Sequence, residues 1–156
     1  MSFMTGRFEQ FSFIISGIYR KLQKIKRDEM VKRGYKGAFA QYLATLSRFE
    51  EGLTSTELCD ICGKDKAAVS RIIAEMEEKG LIQREKKAVR SYRSKITLTE
   101  EGKDVANYVA ERASIAFSSV SGEIMTEEER TMFYTVLDRI YKNIEKIDIE
   151  GIPSEE

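Results

Sequence analysis

A mainly α-helical fold carrying one small β-hairpin is predicted by three observations. Apolar residues recur at steps of three and four over most of the chain. S/T-x-x-E patterns that satisfy backbone donors at a helix start occur at Thr54 to Glu57 and Thr126 to Glu129. Two short runs with β character, Leu81 to Glu85 and Ser94 to Leu98, stand side by side between the helical stretches. The expected order is four helices, a hairpin and two more helices, about six helices in all.

The first helix is read from Phe8, Phe11, Ile15, Ile18, Leu22 and Ile25, which line one face. Ile14 and Tyr19 widen that stripe, so the helix contacts more than one neighbour. The run Gly34-Tyr35-Lys36-Gly37 ends it. Phe39, Tyr42, Leu43, Leu46 and Phe49 mark a second helix that stops at Gly52, a residue able to take the left-handed conformation. The third helix starts at the Thr54 cap, runs through Leu58 and Ile61 and breaks at Gly63. Asp65 is placed to cap a fourth, whose buried face is Val69, Ile72, Ile73 and Met76 and which closes at Lys79-Gly80.

Thr99 can cap a long fifth helix with Val105, Tyr108, Val109, Ala113, Ala116 and Val120 as its apolar positions. The sixth carries Phe133, Leu137, Ile140, Ile144 and Ile147. Residues 149–156 are expected to form a flexible tail. The 156 residues suit one domain, 1–156, and a 42% apolar content is enough for a packed core.

Composition narrows the function. No apolar run is long enough to cross a membrane or to serve as a signal peptide, and two cysteines are too few for a disulfide framework, so a cytoplasmic protein is expected. Histidine and tryptophan are absent, which removes the commonest general base and the commonest metal ligand, and no motif supports an enzyme. No cofactor or metal is expected.

Cys59 and Cys62 have the C-x-x-C spacing of a redox pair or half a metal site. With no other cysteine or histidine to complete a zinc site, they are read first as small core hydrophobes. A thiol-based redox response is the alternative.

Charge is balanced overall, with 26 basic and 26 acidic residues, but unevenly spread. Between Arg84 and Lys95 stand Arg84, Lys86, Lys87, Arg90, Arg93 and Lys95 against the single acid Glu85. Two short helices joined by a glycine-containing turn and followed by such a hairpin make a winged helix-turn-helix, here spanning 53–99. In that architecture the second helix enters the major groove.

With the apolar face turned inward, Lys66, Ala67, Ser70 and Arg71 are left to face DNA, with Ala74 beside them. Thr54, Thr56 and Lys64, on and beside the preceding helix, complete the set expected on that side of the module. At the hairpin tip Arg90 is the first choice for the minor groove, with Lys86, Lys87 and Arg93 on phosphates.

The ordered set Leu53-Thr54, Glu57-Leu58, Ala68-Val69-Ser70-Arg71, Glu78-Lys79-Gly80-Leu81-Ile82, Arg84 and Ile96-Thr97-Leu98-Thr99-Glu100-Glu101-Gly102 resembles the MarR family of regulators. The resemblance implies a homodimer knitted together by residues 5–33 and 100–148, presenting two winged modules to a palindromic operator. It also implies a repressor relieved by a small aromatic or amphipathic ligand bound between the dimerisation and DNA-binding parts. Tyr35, Phe39 and Tyr42 lie where that cleft would be, and they are equally readable as core. The family wing often carries Asp-x-Arg, whereas Arg90 and Tyr92 stand at those positions here; either Arg90 or Arg93 takes the arginine role. A winged-helix protein–protein interaction module without a DNA target is the competing reading, since one fold can serve both ends.

Overall fold

The computed structural model describes residues 3–85 and 94–151, with side chains described between 6 and 147. The chain forms two compact units, residues 1–116 and 117–156. The first contains α1 (Phe3–Lys32), α2 (Phe39–Leu46), α3 (Ser55–Cys62), α4 (Lys66–Glu78), β1 (Ile82–Arg84), β2 (Ile96–Leu98) and most of α5 (Glu100–Ser121). The second contains the end of α5 and all of α6 (Glu127–Glu150).

Only the last turns of α1 enter the core of the first unit. Met30 is fully buried and Glu29 nearly so, whereas Phe8, Phe11, Phe13, Ile14, Ile15, Ile18 and Tyr19 are exposed. The helix ends where Gly34 takes a φ of 81° and the Tyr35 N–H returns to the Met30 carbonyl at 3.1 Å.

The second helix is shorter than its apolar spacing predicts. It stops at Leu46, and Phe49, read from the sequence as part of its buried face, is 42% exposed. Its end is undone locally. The Ser47 hydroxyl bonds the Leu43 carbonyl at 2.8 Å, and Arg48 and Phe49 donate to carbonyls only three residues back. Gly52 does adopt a positive φ of 81°, but it ends this loop rather than the helix and delivers Leu53 to a bridge with Ile96.

Both predicted capping boxes are formed, at Thr54 and Thr126. Asp65 caps α4, accepting the Ala68 N–H at 2.9 Å. On α4, Val69, Ile73 and Met76 are buried as expected, but Ile72 is only half-buried. These side chains pack with Phe39, Leu43, Leu58, Leu81, Ile96 and Val105 in one core, each fully buried apolar side chain contributing about 1.5–3 kcal/mol.

The two strands are antiparallel, pairing Ile82 with Leu98, Gln83 with Thr97 and Arg84 with Ile96. They are shorter than the predicted runs, although the Glu85 N–H still reaches the Lys95 carbonyl at 2.9 Å. Leu53 adds a bridge on the far side of Ile96, donating at 3.1 Å and accepting at 2.8 Å, so the hairpin is tied to the start of α3. Thr99 closes the module: its hydroxyl donates to the Gly80 carbonyl at 2.6 Å and accepts the Gly102 N–H at 3.0 Å, at the first turn of α5.

In the second unit α6 starts at the Thr126 box, and Arg130 donates to the Gly122 carbonyl at 3.3 Å. The helix continues to Glu150, two residues into the segment expected as tail, with Gly151 N–H still bonded to the Ile147 carbonyl at 2.8 Å. Residues 152–156 lie outside the described residues. Much of its apolar stripe is uncovered, Met132, Phe133, Tyr134, Val136, Tyr141, Ile144 and Ile147 all being exposed.

Candidate nucleic-acid interface

The centre of the site is the angle between α3 and α4. Gly63, with a φ of 60°, ends α3 in the left-handed conformation, which only a residue without a Cβ adopts freely, and lets the chain reverse within three residues into the Asp65 cap. Because Val69, Ile73 and Met76 fix the inner face, Lys66, Ala67, Ser70, Arg71 and Ala74 are all exposed on the outer one. Lys64, in the turn, is exposed as well.

Charge along α4 is polarised. Lys66 and Arg71 stand on its first half, and among the described residues neither they nor Lys64 form an ion pair. The acids stand on the second half, and two of them are occupied: Glu75 holds Lys36 at 2.6 Å and Glu77 holds Arg84 at 3.2 Å. The free cations are therefore gathered at the helix N-terminal end, which also carries the positive end of the helix dipole.

The third helix is less open than its sequence suggests. Thr56 is exposed at its first turn, but the Thr54 hydroxyl is engaged on both sides, donating to the Glu57 carboxylate at 3.0 Å and accepting the Glu57 N–H at 3.3 Å. The same bonds from Thr54, its backbone N–H foremost, hold the Glu57 carboxyl below its ordinary value. Lys86, Lys87, Arg90 and Arg93 lie outside the described residues.

Of the three aromatic residues expected at an effector cleft, Phe39 and Tyr42 are buried in the core and Tyr35 packs against it. Phe39 is a core residue, 1% exposed. Tyr35 is half-buried against α5, its hydroxyl donating to Glu101 at 3.3 Å, and burial followed by the Glu101 charge pushes the phenol up. Tyr42 alone borders a cleft, of about 560 Å³, whose other walls include Tyr19, Arg20, Arg27, Lys64 and Ile72. Of the cleft's residues, the sequence points to Tyr42 for an effector site and to Tyr19 only as widening the apolar stripe of its helix; the two arginines sit among many other α1 cations and give no signal.

The thiols behave as core. Cys62 is 6% exposed, 3.8 Å from the Thr45 hydroxyl, and burial pushes its thiol up, while Cys59 is half-buried. Among the described residues no group of acids or cysteines is arranged to hold a metal ion, and no helix is long and apolar enough to cross a membrane.

A glycine-turned helix pair, a capped second helix with an outward cationic half, and a hairpin tied to its base define a winged helix-turn-helix protein. Comparison with known proteins gives the same class. The sequence model of the MarR family matches residues 33–89. A Bacillus cereus protein described as an uncharacterized HTH-type transcriptional regulator is 30% identical over 104 residues, 65% of this chain and 67% of that one. Among solved structures, a MarR family transcriptional regulator from Listeria monocytogenes complexed with 26mer DNA aligns with a TM-score of 0.67 at 22% identity, over 91% of this chain and 95% of that one. Staphylococcus aureus MarR in complex with salicylate and kanamycin aligns with a TM-score of 0.72 at 18% identity, over 92% of this chain and 95% of that one. The chain belongs to the MarR family of transcriptional regulators.

Proposed function

We propose that the protein is a homodimeric repressor that binds a palindromic double-stranded DNA operator and releases it when a small ligand binds. The observation that carries this reading is the polarised α4, with Lys66 and Arg71, which form no ion pair among the described residues, beside Ala67 and Ser70 on its exposed N-terminal half. A helix entering the major groove contacts base edges with its N-terminal residues, and small side chains allow close approach. Thr56, Lys64 and the wing residues Lys86, Lys87, Arg90 and Arg93 add phosphate and minor-groove contacts, Thr54 acting through the cap it forms. The Listeria relative complexed with DNA supports the same use of the fold.

Dimerisation is supported by the uncovered apolar faces of residues 5–33 and 100–148, which a second copy would bury. For relief by a ligand, the cleft beside Tyr42 is the fitting place: Arg20, Arg27 and Lys64 suit an anionic group and Tyr19 and Tyr42 an aromatic body, in keeping with salicylate bound to the Staphylococcus aureus relative. A protein–protein adaptor has no need of basic residues on both α4 and the wing.

Fluorescence anisotropy with DNA from upstream of the protein's own gene, titrated over a range of salt, tests the reading. Dimeric binding to an inverted repeat is expected, with Lys66→Ala and Arg90→Ala each flattening the salt slope by about one where the side chain meets a phosphate. Arg71→Ala weakens binding and relaxes sequence preference where it meets a base. Equal affinity of the wild type and the Lys66, Arg71 and Arg90 triple alanine variant would overturn the proposed surface.

A further inference from the structure

Among the described residues Glu29 is the one charged side chain that is buried. Its carboxylate is 8% exposed, in the last turns of α1, and both of its oxygens are taken. Oε1 accepts from Lys32 on the same helix. Oε2 accepts from the Tyr108 hydroxyl at 3.4 Å and faces Arg112 Nε at 3.5 Å, both on α5. Arg33, one residue past the end of α1, in turn lies over the Tyr108 ring, 4.6 Å from its centroid. α5 thus meets the Glu29 carboxylate with a hydroxyl and a cation, and the residue that follows α1 returns a cation to the Tyr108 ring.

The position of this cluster matters more than its strength. Toward the N-terminus from Glu29, α1 leaves the core and carries the exposed apolar face from Phe8 to Tyr19. Toward the C-terminus, the chain passes through α2 into the winged module, and the part of α5 that holds Tyr108 and Arg112 sends Val105, Ala106 and Val109 into the same core as Val69, Ile73 and Met76 of α4. Glu29 therefore sits at the pivot of a lever. From Glu29 to Phe8 the helix extends about 30 Å at 1.5 Å per residue, so a rotation of about 10° at the pivot moves the far end by about 5 Å, more than the rise of one base pair.

Apolar contacts around the pivot, such as those of Met30, are non-directional and tolerate such a rotation. A buried carboxylate with partners on two helices does not, because any other angle strips Oε2 of its Tyr108 and Arg112 partners and leaves Lys32 alone to compensate the buried charge.

We infer that Glu29 is a positioning residue for operator recognition: held between α1 and α5, it fixes the angle at which the winged module leaves the dimerising part of α1, and with it the half-site spacing that the dimer accepts. The inference rests on the dimeric DNA-binding reading. Glu29 touches no DNA; it acts through the separation of the two α4 helices.

The test uses the full chain and a set of duplexes carrying the inverted repeat with the half-sites moved apart or together by single base pairs. The wild type is expected to prefer one spacing sharply. Glu29→Gln, which keeps shape and removes charge, and Tyr108→Phe, which keeps the ring under Arg33 and removes the hydroxyl, are expected to bind the preferred duplex nearly as well. Their preference for it over the neighbouring spacings is expected to fall by about five- to tenfold, with the salt slope unchanged. Arg112→Gln serves if Glu29→Gln does not fold, since Arg112 is half-exposed. Variants that lose affinity equally at all spacings, or that keep the wild-type profile, overturn the inference while leaving DNA binding intact. A wild type that binds no duplex, or binds as a monomer, overturns both.

Discussion

Gly102 lies directly against the main chain of Leu81: a Cβ placed on it would stand 1.9 Å from the Leu81 carbonyl oxygen. Leu81 is fully buried, and its carbonyl already accepts the Thr99 N–H at 3.1 Å, so it has nowhere to retreat. Gly102→Ala gains about 1 kcal/mol in helix propensity, but it must push α5 away from the base of the hairpin at a cost of about 1–3 kcal/mol or more. The expected outcome is a net loss of stability in denaturant or thermal unfolding. An alanine variant as stable as the wild type would mean that α5 does not pack here as described.

Asp65 combines a structural role with an electrostatic cost. Asp65→Ala removes the bond to the Ala68 N–H and is expected to lower stability by about 1 kcal/mol. Asp65→Asn keeps the cap and removes a negative charge beside Lys66, so it should leave the unfolding midpoint unchanged and tighten DNA binding. If binding weakens in both variants, the carboxylate itself is needed at the interface.

Stability is expected to fall in acid, and the sign follows from two carboxyls. Glu57, through its bonds from Thr54, and Glu29, through its bond from Lys32, both have folded values below their ordinary 4.5. The unfolded chain therefore takes up protons first, and the contribution is complete above about pH 5 and lost as pH falls through the lowered folded values. Glu57→Gln should give a shallower decline between about pH 5 and pH 3 in denaturant melts. With no histidine in the chain, DNA affinity is expected to stay level from about pH 6 to pH 7.5.

The two thiols should differ in reactivity. Cys59 is half-buried, while Cys62 is 6% exposed with its thiol pushed up, so an aromatic disulfide reagent should label Cys59 first. In Cys59→Ser the remaining thiol should react only as fast as the structure opens. Rapid labelling of that variant, or oxidant-driven DNA release that vanishes in the double serine variant, would restore a redox role.

What was legible in the sequence is what depends on neighbours along the chain. The caps at Thr54, Asp65 and Thr126 and the outward set on α4 each rest on residues three or four apart, and all are formed as read. Phe49 fits a helical period, yet side-chain competition from Ser47 and the bridge from Leu53 to Ile96 override it, and neither is visible in a periodicity. The α1 wall of the cleft and the Glu29 cluster were missed for the opposite reason. Tyr108 is 79 residues from Glu29, and nothing in an amphipathic pattern distinguishes a glutamate facing solvent from one facing another helix. Phe39 and Tyr35 were placed near the right elements, but an aromatic residue in a core and one lining a cleft share the same spacing.

The exposed cationic half of α4 shares no residue with the uncovered apolar faces of α1 and α6. Under the proposed function, this separation has a genetic consequence. An allele altered only at Lys66 and Arg71 still assembles with normal subunits, so in a cell expressing both alleles equally about half of the dimers are mixed, with a single working reader, and only about a quarter are fully normal. Such alleles should behave as dominant, whereas alleles that disrupt the apolar faces should be recessive.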